Sequence, residues 1–294
     1  MAREKGRFNP LDSENWETFW ERAKMVRQEK TGARTGTEGE VWDKRARHFD
    51  HKVDGDEGSA RVDAIMDFLE AEKVFSPGMT VIDIGCGQGT ITVQLAARAA
   101  GVYALDPSEK MLQLLAGKLE EMELSNVHSI LERWQEVDLE ECGWREKFDL
   151  AFASMSPGIN DAKSLRKMMA SSKKYCYLST FAGRKDKPRD ELWEIITGKP
   201  FEPGDLDIIY PLNLLYTWGY RPSLRFYRHY RSDWFPLEEA VENLLQYLHL
   251  ATSEEEKARK VVQDYVAVRQ QDARFFHERD IYHGMLIWDK TVRT

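Results

Sequence analysis

The chain has 294 residues, enough to bury a full core, and its 42% hydrophobic and 31% charged residues are typical of a folded globular protein. The net charge of −8 argues against a dedicated nucleic-acid-binding protein. No apolar run reaches membrane-spanning length, the first ten residues lack a signal-peptide core, and the three cysteines have neither zinc-site nor disulfide spacing. We therefore expect a cytoplasmic protein without a membrane partner or a metal.

The first 59 residues are expected to form a helical extension. Residues 11–30 carry apolar side chains at helical spacing on one face, which predicts a helix that packs on the main domain. Residues 31–39 are rich in glycine and threonine, as in a flexible linker. A short amphipathic segment with Trp42 and Phe49 follows.

The central part of the chain, residues 60–183, is expected to form the ligand-binding core. A helix is predicted over 60–72, and short apolar runs then alternate with helical segments, as in a parallel sheet covered by helices on both faces. Asp161 is expected to cap the helix between the fourth and fifth strands. The five strands are predicted from the runs TVIDI, VYALD, VHSIL, FDLAFAS and YCYLST.

Residues 184–294 are expected to complete the same continuous domain. They contain a short helix, an aromatic-rich insertion, two further helices, and strands over 223–235 and 282–290. The last strand would pair beside the earlier one and bring the sheet to seven strands. The expected fold is therefore of the α/β class: a doubly wound, mostly parallel seven-stranded sheet with helices on both faces, an N-terminal helical segment and a C-terminal helical and aromatic insertion.

The run VIDIGCGQGT, residues 81–90, is the strongest functional signal in the sequence. A short apolar strand leads through Asp83 into glycines at alternate positions, and a helix-forming segment follows. Such a strand–turn–helix holds a nucleotide-like ligand, because Gly85 and Gly87 would let the backbone approach it closely. A dinucleotide-binding turn would need a glycine where Thr90 stands.

Asp106 provides a second signal, about 20 residues beyond this turn, where a ribose-binding acid is expected. A carboxylate there can accept hydrogen bonds from both ribose hydroxyls. Right-handed crossovers between parallel strands would bring the strand ends that carry Gly85, Asp106, Arg133 and Ser154 to one edge of the sheet. The sequence therefore predicts a ligand site at that edge.

Together, the acid two places before the first glycine, the alternate glycines and Asp106 resemble motif I and the ribose acid of the class I S-adenosylmethionine-dependent methyltransferases. The resemblance covers roughly residues 40–180. It implies a Rossmann-like fold, S-adenosyl-L-methionine as cofactor, S-adenosyl-L-homocysteine as product, and direct methyl transfer. The residues that it implies for the cofactor site are Asp83, Gly85, Cys86, Gly87, Asp106, Pro107, Met111, Arg133, Trp134 and Ser154.

The same resemblance implies substrate-side residues. An aromatic segment ahead of the first strand often closes as a lid in small-molecule methyltransferases, which assigns this role to Trp42 and Phe49. The end of the fourth strand faces donor and acceptor, which adds Met155 and Ser156. No catalytic residue is assigned, because displacement from a sulfonium depends mainly on alignment of the reacting atoms.

The end of the third strand departs from the family pattern. Many members have an acidic and a small residue there that meet the adenine, whereas this chain has Arg133 and Trp134. Trp134 could stack on the base, or it could pack against the following helix while backbone amides recognise the adenine.

The lid and the bulky insertion together suggest an enclosed pocket and hence a small-molecule acceptor. Two alternatives stay open. The arginine- and tyrosine-rich run at 220–231 could bind RNA or another anionic partner of an RNA or protein methyltransferase, although pairing of its arginines with acids is favoured by the net charge. The chain could also be a cofactor-binding module without catalysis.

Overall fold

The computed structural model describes residues 9–31, 39–40, 42–43, 56–201, 206–248 and 255–294. The helices in these ranges are α1 (Ser13–Thr31), α2 (Asp56–Ala71), α3 (Thr92–Ala96), α4 (Glu109–Glu121), α5 (Ala162–Ser171), α6 (Lys187–Thr197), α7 (Ile209–Thr217), α8 (Leu237–Leu248) and α9 (Glu255–Arg269). The strands are β1 (Thr80–Ile84), β2 (Gly101–Asp106), β3 (Val127–Leu131), β4 (Phe148–Ser154), β5 (Ser172–Lys185), β6 (Ser223–Pro236) and β7 (Arg274–Asp289). Within these ranges, no helix is both long and apolar enough to cross a bilayer.

One sheet contains all seven strands, in the order β3-β2-β1-β4-β5-β7-β6. The first five are mutually parallel, β7 is antiparallel to β5, and β6 is antiparallel to β7. This arrangement confirms the predicted mostly parallel, seven-stranded α/β sheet. It also brings the carboxyl ends of β1, β2 and β4 to one edge, as ligand binding in such folds requires.

Apolar helix faces cover both sides of the sheet. On one side, α2 and α3 pack through residues such as Ile65 and Leu95. On the other side, α1, α5 and α7 form a cluster that contains Trp20, Leu165 and Leu214. Apolar burial on both faces is the main stabilising contribution expected of such a doubly covered sheet.

The N-terminal helix α1 packs on the main domain, as its apolar stripe predicts. Trp20 is buried and stacks on Tyr210 of α7, with ring centroids 6.0 Å apart. Lys24 of α1 also forms an ion pair with Asp161. Asp161 caps α5 by accepting a hydrogen bond from the Ser164 amide at 2.7 Å, which confirms its predicted role.

A second apolar core lies beyond the end of the parallel sheet. β5 pairs with β7 as far as Asp280, whereas residues 274–279 of β7 continue to pair with β6. This two-stranded ribbon packs against α6, α8 and α9 through buried residues that include Leu192, Leu244, Val262 and Phe275.

Several elements differ from the sequence predictions. α3 covers only Thr92–Ala96, because the chain then turns and the Ala100 amide bonds to the Met79 carbonyl at the entry to β2. β7 begins at Arg274 rather than at residue 282, since its charged first half alternates buried and exposed side chains while pairing with β6. α7 lies in the insertion, where Pro211 is tolerated in the first turn of a helix.

Candidate cofactor and acceptor site

Asp83 lies in the buried strand β1, just before the glycine turn. It is 2% exposed, and one carboxylate oxygen accepts a hydrogen bond from the Thr92 hydroxyl at 2.7 Å. Burial raises the pKa of Asp83 to about 7; the Thr92 bond opposes this shift and the nearby Asp106 carboxylate adds to it. The adjacent ends of β1 and β2 therefore hold two acids in a site where negative charge is poorly solvated.

The glycine turn is fixed to the end of β2 by backbone hydrogen bonds. The amides of Gly85 and Cys86 both donate to the Leu105 carbonyl, at 2.7 and 3.1 Å. The Gly87 amide donates to an Asp106 carboxylate oxygen at 2.9 Å. Gly87 has a φ of 55°, a conformation that side chains with a Cβ rarely adopt.

Gly85 and Gly87 serve different purposes in the turn. A Cβ at Gly85 would collide with the hydroxyl oxygen of Ser156. The backbone at Gly85 therefore lies close to another part of the protein, and the glycine is needed for that contact. A Cβ at Gly87 would have no atom within 4 Å. The expectation of close ligand approach therefore applies to Gly87, whose α-carbon faces open space.

Asp106 is held in one orientation at the end of β2. It is 6% exposed, and its second carboxylate oxygen accepts a hydrogen bond from the Ser108 amide at 2.9 Å across Pro107. Ser108 then caps α4 by accepting from the Met111 amide at 3.2 Å, and Met111 is buried. Two backbone donors thus orient the carboxylate before any ligand is present.

The segment that carries Trp42 contacts the same loop. Asp43 accepts hydrogen bonds from the Ser108 hydroxyl at 2.6 Å and from the Lys110 amide at 3.2 Å. Trp42 is partly buried. Phe49, the other aromatic residue assigned to the lid, lies outside the described residues.

Arg133 and Trp134, in the loop after β3, point in different directions. Arg133 donates to Glu136 at 2.6 Å on the surface. Trp134 is 2% exposed, its indole nitrogen donates to the Ser164 carbonyl of α5 at 3.3 Å, and Lys167 lies 5.0 Å from its ring. The geometry corresponds to the packing alternative for Trp134, because the ring is enclosed by the core. We therefore leave Trp134 out of the proposed cofactor contacts.

The loop after β4 combines polar side chains with an unusual backbone conformation. Ser154 is partly buried, Ser156 is buried, and the Met155 amide donates to the Ser179 carbonyl at 2.8 Å. Met155 has a φ of 55°. Left-handed backbone at a non-glycine residue is often found at functional sites, where neighbouring structure maintains it.

The comparison with protein families agrees with this geometry. Residues 75–192 match the model of a family described as a methyltransferase domain, and the match includes the glycine turn, Asp106 and the β4 loop. Over these residues, about two fifths of the chain, the protein is therefore similar to methyltransferase domains.

Two individual proteins resemble the chain. An uncharacterized protein from Haemophilus influenzae is 29% identical over 212 residues, which cover 71% of this chain and 73% of that protein. The structure of a candidate methyltransferase from Bacillus halodurans aligns with a TM-score of 0.52 at 13% identity, over 76% of this chain and 97% of that one. The second likeness shows that the two proteins share a fold.

Cys86 lies within the glycine turn but has the properties of a buried, unreactive thiol. Burial raises its pKa well above the usual range, and the charges of Asp83 and Asp106 raise it further. The thiol therefore stays protonated near neutral pH. In the described ranges, no group of three or more possible metal ligands occurs.

Three residues of the site region were not predicted. Asp43 reaches the loop after β2, and Arg61 reaches the last residue of β4. Both come from distant parts of the chain, and nothing in the local sequence marks them. Thr92 could have been found, because a hydroxyl in the first turn of the helix after a glycine turn lies close to the preceding strand end.

Proposed function

We propose that the protein is an S-adenosylmethionine-dependent methyltransferase that acts on a small-molecule acceptor. The main support is the pair of acids, Asp83 and Asp106, at the ends of adjacent strands around an open glycine turn. Among the described residues, the charged group that shifts the pKa of Asp83 is the Asp106 carboxylate, and it raises that pKa. A ligand with positive charge would compensate both.

When bound, S-adenosylmethionine supplies a methyl group activated by a positively charged sulfur. In our proposal Asp106 accepts hydrogen bonds from the ribose hydroxyls, and its bonds to Gly87 and Ser108 hold it ready to do so. Asp83 attracts the amino group of the cofactor. Gly87 leaves room for the ligand to lie against the backbone.

The chain's contribution to the transfer step is alignment and exclusion of water. The backbone of Met155 is fixed by its bond to Ser179, so the β4 loop presents a defined surface to donor and acceptor. Asp43 connects the segment before α2 to the cofactor loop, which supports the proposal that this segment covers the site.

The arginine-rich strand supports a small-molecule acceptor over RNA. Arg228 forms a two-pronged ion pair with Asp280, at 2.8 and 3.1 Å, and Arg231 pairs with Asp233. These guanidinium groups are already paired within the chain, and the protein carries a net charge of −8. A nucleic-acid surface would instead present unpaired cations to phosphates.

Cofactor binding is tested by calorimetry with S-adenosylhomocysteine. Replacing Asp106 by Ala should weaken binding about 10- to 100-fold, the range expected for loss of hydrogen bonds to a charged group. The exposed Asp67 of α2 provides the matched control, and Asp67→Ala should leave the dissociation constant unchanged. Equal affinities of the Asp106→Ala variant and the natural protein would remove Asp106 from the site.

The acceptor class is tested by transfer of a radiolabelled methyl group into a cell extract separated into small-molecule, RNA and protein fractions. We expect label in the small-molecule fraction. Label confined to RNA or protein would contradict the proposed acceptor class. Tight S-adenosylhomocysteine binding without label in any fraction would instead favour a non-catalytic cofactor-binding module.

A further inference from the structure

Five polar residues form a cluster at the carboxyl end of β4 and the adjoining middle of β5, on the face of the sheet covered by α2. We call it the acceptor-side cluster, and its members are Arg61, Ser154, Tyr177, Ser179 and His283. They belong to α2, β4, β5 and β7, and these strands lie on the side of β1 away from β2. Neighbouring strands are ~4.8 Å apart, so β7 lies ~14 Å from β1, and the cluster extends away from the proposed cofactor site.

Arg61 is the charged member of this cluster. Its guanidinium donates from Nη1 to the Ser154 hydroxyl at 3.1 Å, and no carboxylate among the described residues pairs with it. Burial lowers the pKa of Arg61, yet an arginine remains protonated at physiological pH. A partly buried cation without a carboxylate partner is unfavourable unless an anion compensates it.

Tyr177 adds a donor that the protein itself does not use. The side chain is fully buried, its ring stacks on Phe152 with centroids 4.4 Å apart, and its hydroxyl has no hydrogen-bond partner in the described structure. The nearby Ser179 hydroxyl instead bonds to Ser154 at 2.9 Å. Burial raises the pKa of Tyr177, and the neighbouring Ser179 side chain and Arg61 only partly oppose this rise, so the hydroxyl stays protonated and is able to donate.

His283 lies close enough to Arg61 for that cation to act on it. It is 9% exposed, and burial lowers its pKa to about 3, with further lowering by Arg61, His229 and Arg184. No carboxylate contributes to this shift. His283 is therefore neutral at physiological pH, in a local field that would attract an anion.

From these contacts we propose that the acceptor-side cluster binds an oxyanion of the methyl acceptor, a carboxylate or a phosphate, with Arg61 as the main contact. This inference rests on the proposed function and narrows the acceptor to an anionic small molecule. The Arg61 guanidinium provides paired donors for such a group, and the Tyr177 hydroxyl provides a further one.

Binding is tested with simple anions on protein saturated with S-adenosylhomocysteine. Aromatic rings of Phe181 and Tyr227 lie 5.7 and 6.2 Å from the His283 ring, so ring-bearing probes are suitable. The probes are benzoate for the carboxylate, phenyl phosphate for the phosphate, and benzamide as a neutral analogue of benzoate. We expect saturable binding of at least one anion near ~1 mM by calorimetry, and binding of benzamide at least about tenfold weaker.

Four variants, one of them a control, separate the roles of charge and hydroxyl. Arg61→Leu should weaken anion binding by about tenfold or more, and Arg61→Lys should retain part of it. Arg98→Leu removes a surface arginine that pairs with Glu70, and it should change nothing. Tyr177→Phe should weaken anion binding about two- to tenfold without lowering the melting temperature, because the lost hydroxyl makes no bond within the described protein. If Arg61→Leu does not fold, Tyr177→Phe and Arg61→Lys carry the test.

The outcomes distinguish this inference from the proposed function. The anion site is supported if Arg61→Leu loses the probe but binds S-adenosylhomocysteine as the natural protein does. An equal loss of S-adenosylhomocysteine affinity would assign the cluster to the cofactor and overturn the proposal. So would absence of saturable anion binding to the natural protein, or a methyl-labelled product that an anion-exchange column does not retain. In that last case methyl transfer itself would still be established.

Discussion

Replacement of Asp83 by Asn should stabilise the free protein and at the same time impair cofactor binding. The buried carboxylate accepts one hydrogen bond, from Thr92, and otherwise lies in an apolar strand beside a second acid. Asn has nearly the same shape, and its oxygen can accept the same bond. It removes the cost of holding an ionised group there, but it also removes the charge that would attract the amino group of the cofactor.

The pKa shift gives the size and the pH dependence of this effect. The pKa rises from 3.8 to about 7 on folding, so the folded state retains its proton more strongly than the unfolded chain does. Stability therefore falls as pH rises between these two values and levels off above the higher one. The raised pKa of Asp83 lowers the free energy of unfolding by ~4 kcal/mol at pH 8. At pH 5 it lowers it by only ~2 kcal/mol, because the group is still protonated in the folded state there.

Urea unfolding of both proteins at pH 5 and pH 8, without cofactor, measures this difference. Asp83→Asn should be the more stable protein, with a clearly larger advantage at pH 8, and calorimetry should show at least about tenfold weaker S-adenosylhomocysteine binding. An advantage that does not change between the two pH values would refute the burial of an ionisable acid at this position. Unaltered cofactor affinity would refute its role in binding.

Two further predictions concern the glycine turn and the second core. Gly87→Val should cost ~1–2 kcal/mol of stability and abolish S-adenosylhomocysteine binding, whereas Gly143→Val, at a similar φ of 62° with equally open space, should cost the same stability and leave binding intact. His277→Ala should destabilise the protein. Burial alone would raise the pKa of Asp186, but its 2.9 Å bond to His277 and the nearby positive charges outweigh burial and lower the pKa of Asp186 to about 2. This contribution is present above the unfolded pKa of 3.8 and is lost as pH falls through 2, so the stability gap measured by urea unfolding should be smaller at pH 3 than at pH 7; a constant gap would count against it.

The parallel part of the sheet could be predicted from sequence because its strands are short, apolar and bounded by polar or glycine residues. β1, β3 and β4 have the predicted bounds. In contrast, the first half of β7 reads as a charged segment, and only its pairing with β6 makes it a strand. α7 was not predicted because aromatic residues, proline and glycine give no clear helical period there.

In the candidate site, too, residues within a short motif could be predicted, whereas contacts between residues far apart in the sequence could not. Asp83, Gly87 and Asp106 belong to motifs whose geometry is determined by a single strand–turn–helix and the next strand end. The bond between Arg61 and Ser154 joins residues 93 positions apart, and it depends on how α2 lies across β4. Such a contact has no local pattern, so the anion-binding proposal could arise only from the three-dimensional structure.

The position of β7 between β5 and β6 has a consequence for synthesis of the protein. Both neighbours leave the ribosome before the strand that pairs with them, so each presents an unpaired edge while α8 and α9 are still being made. β6 carries exposed aromatic residues such as Phe226 and Trp234, and an unpaired strand of this kind is prone to intermolecular pairing. The interspersed Arg225, Arg228 and Arg231 would oppose such association by mutual repulsion. The arginines of β6 would thus protect the chain from association during the interval before β7 pairs with β5 and β6, and this role is independent of any ligand.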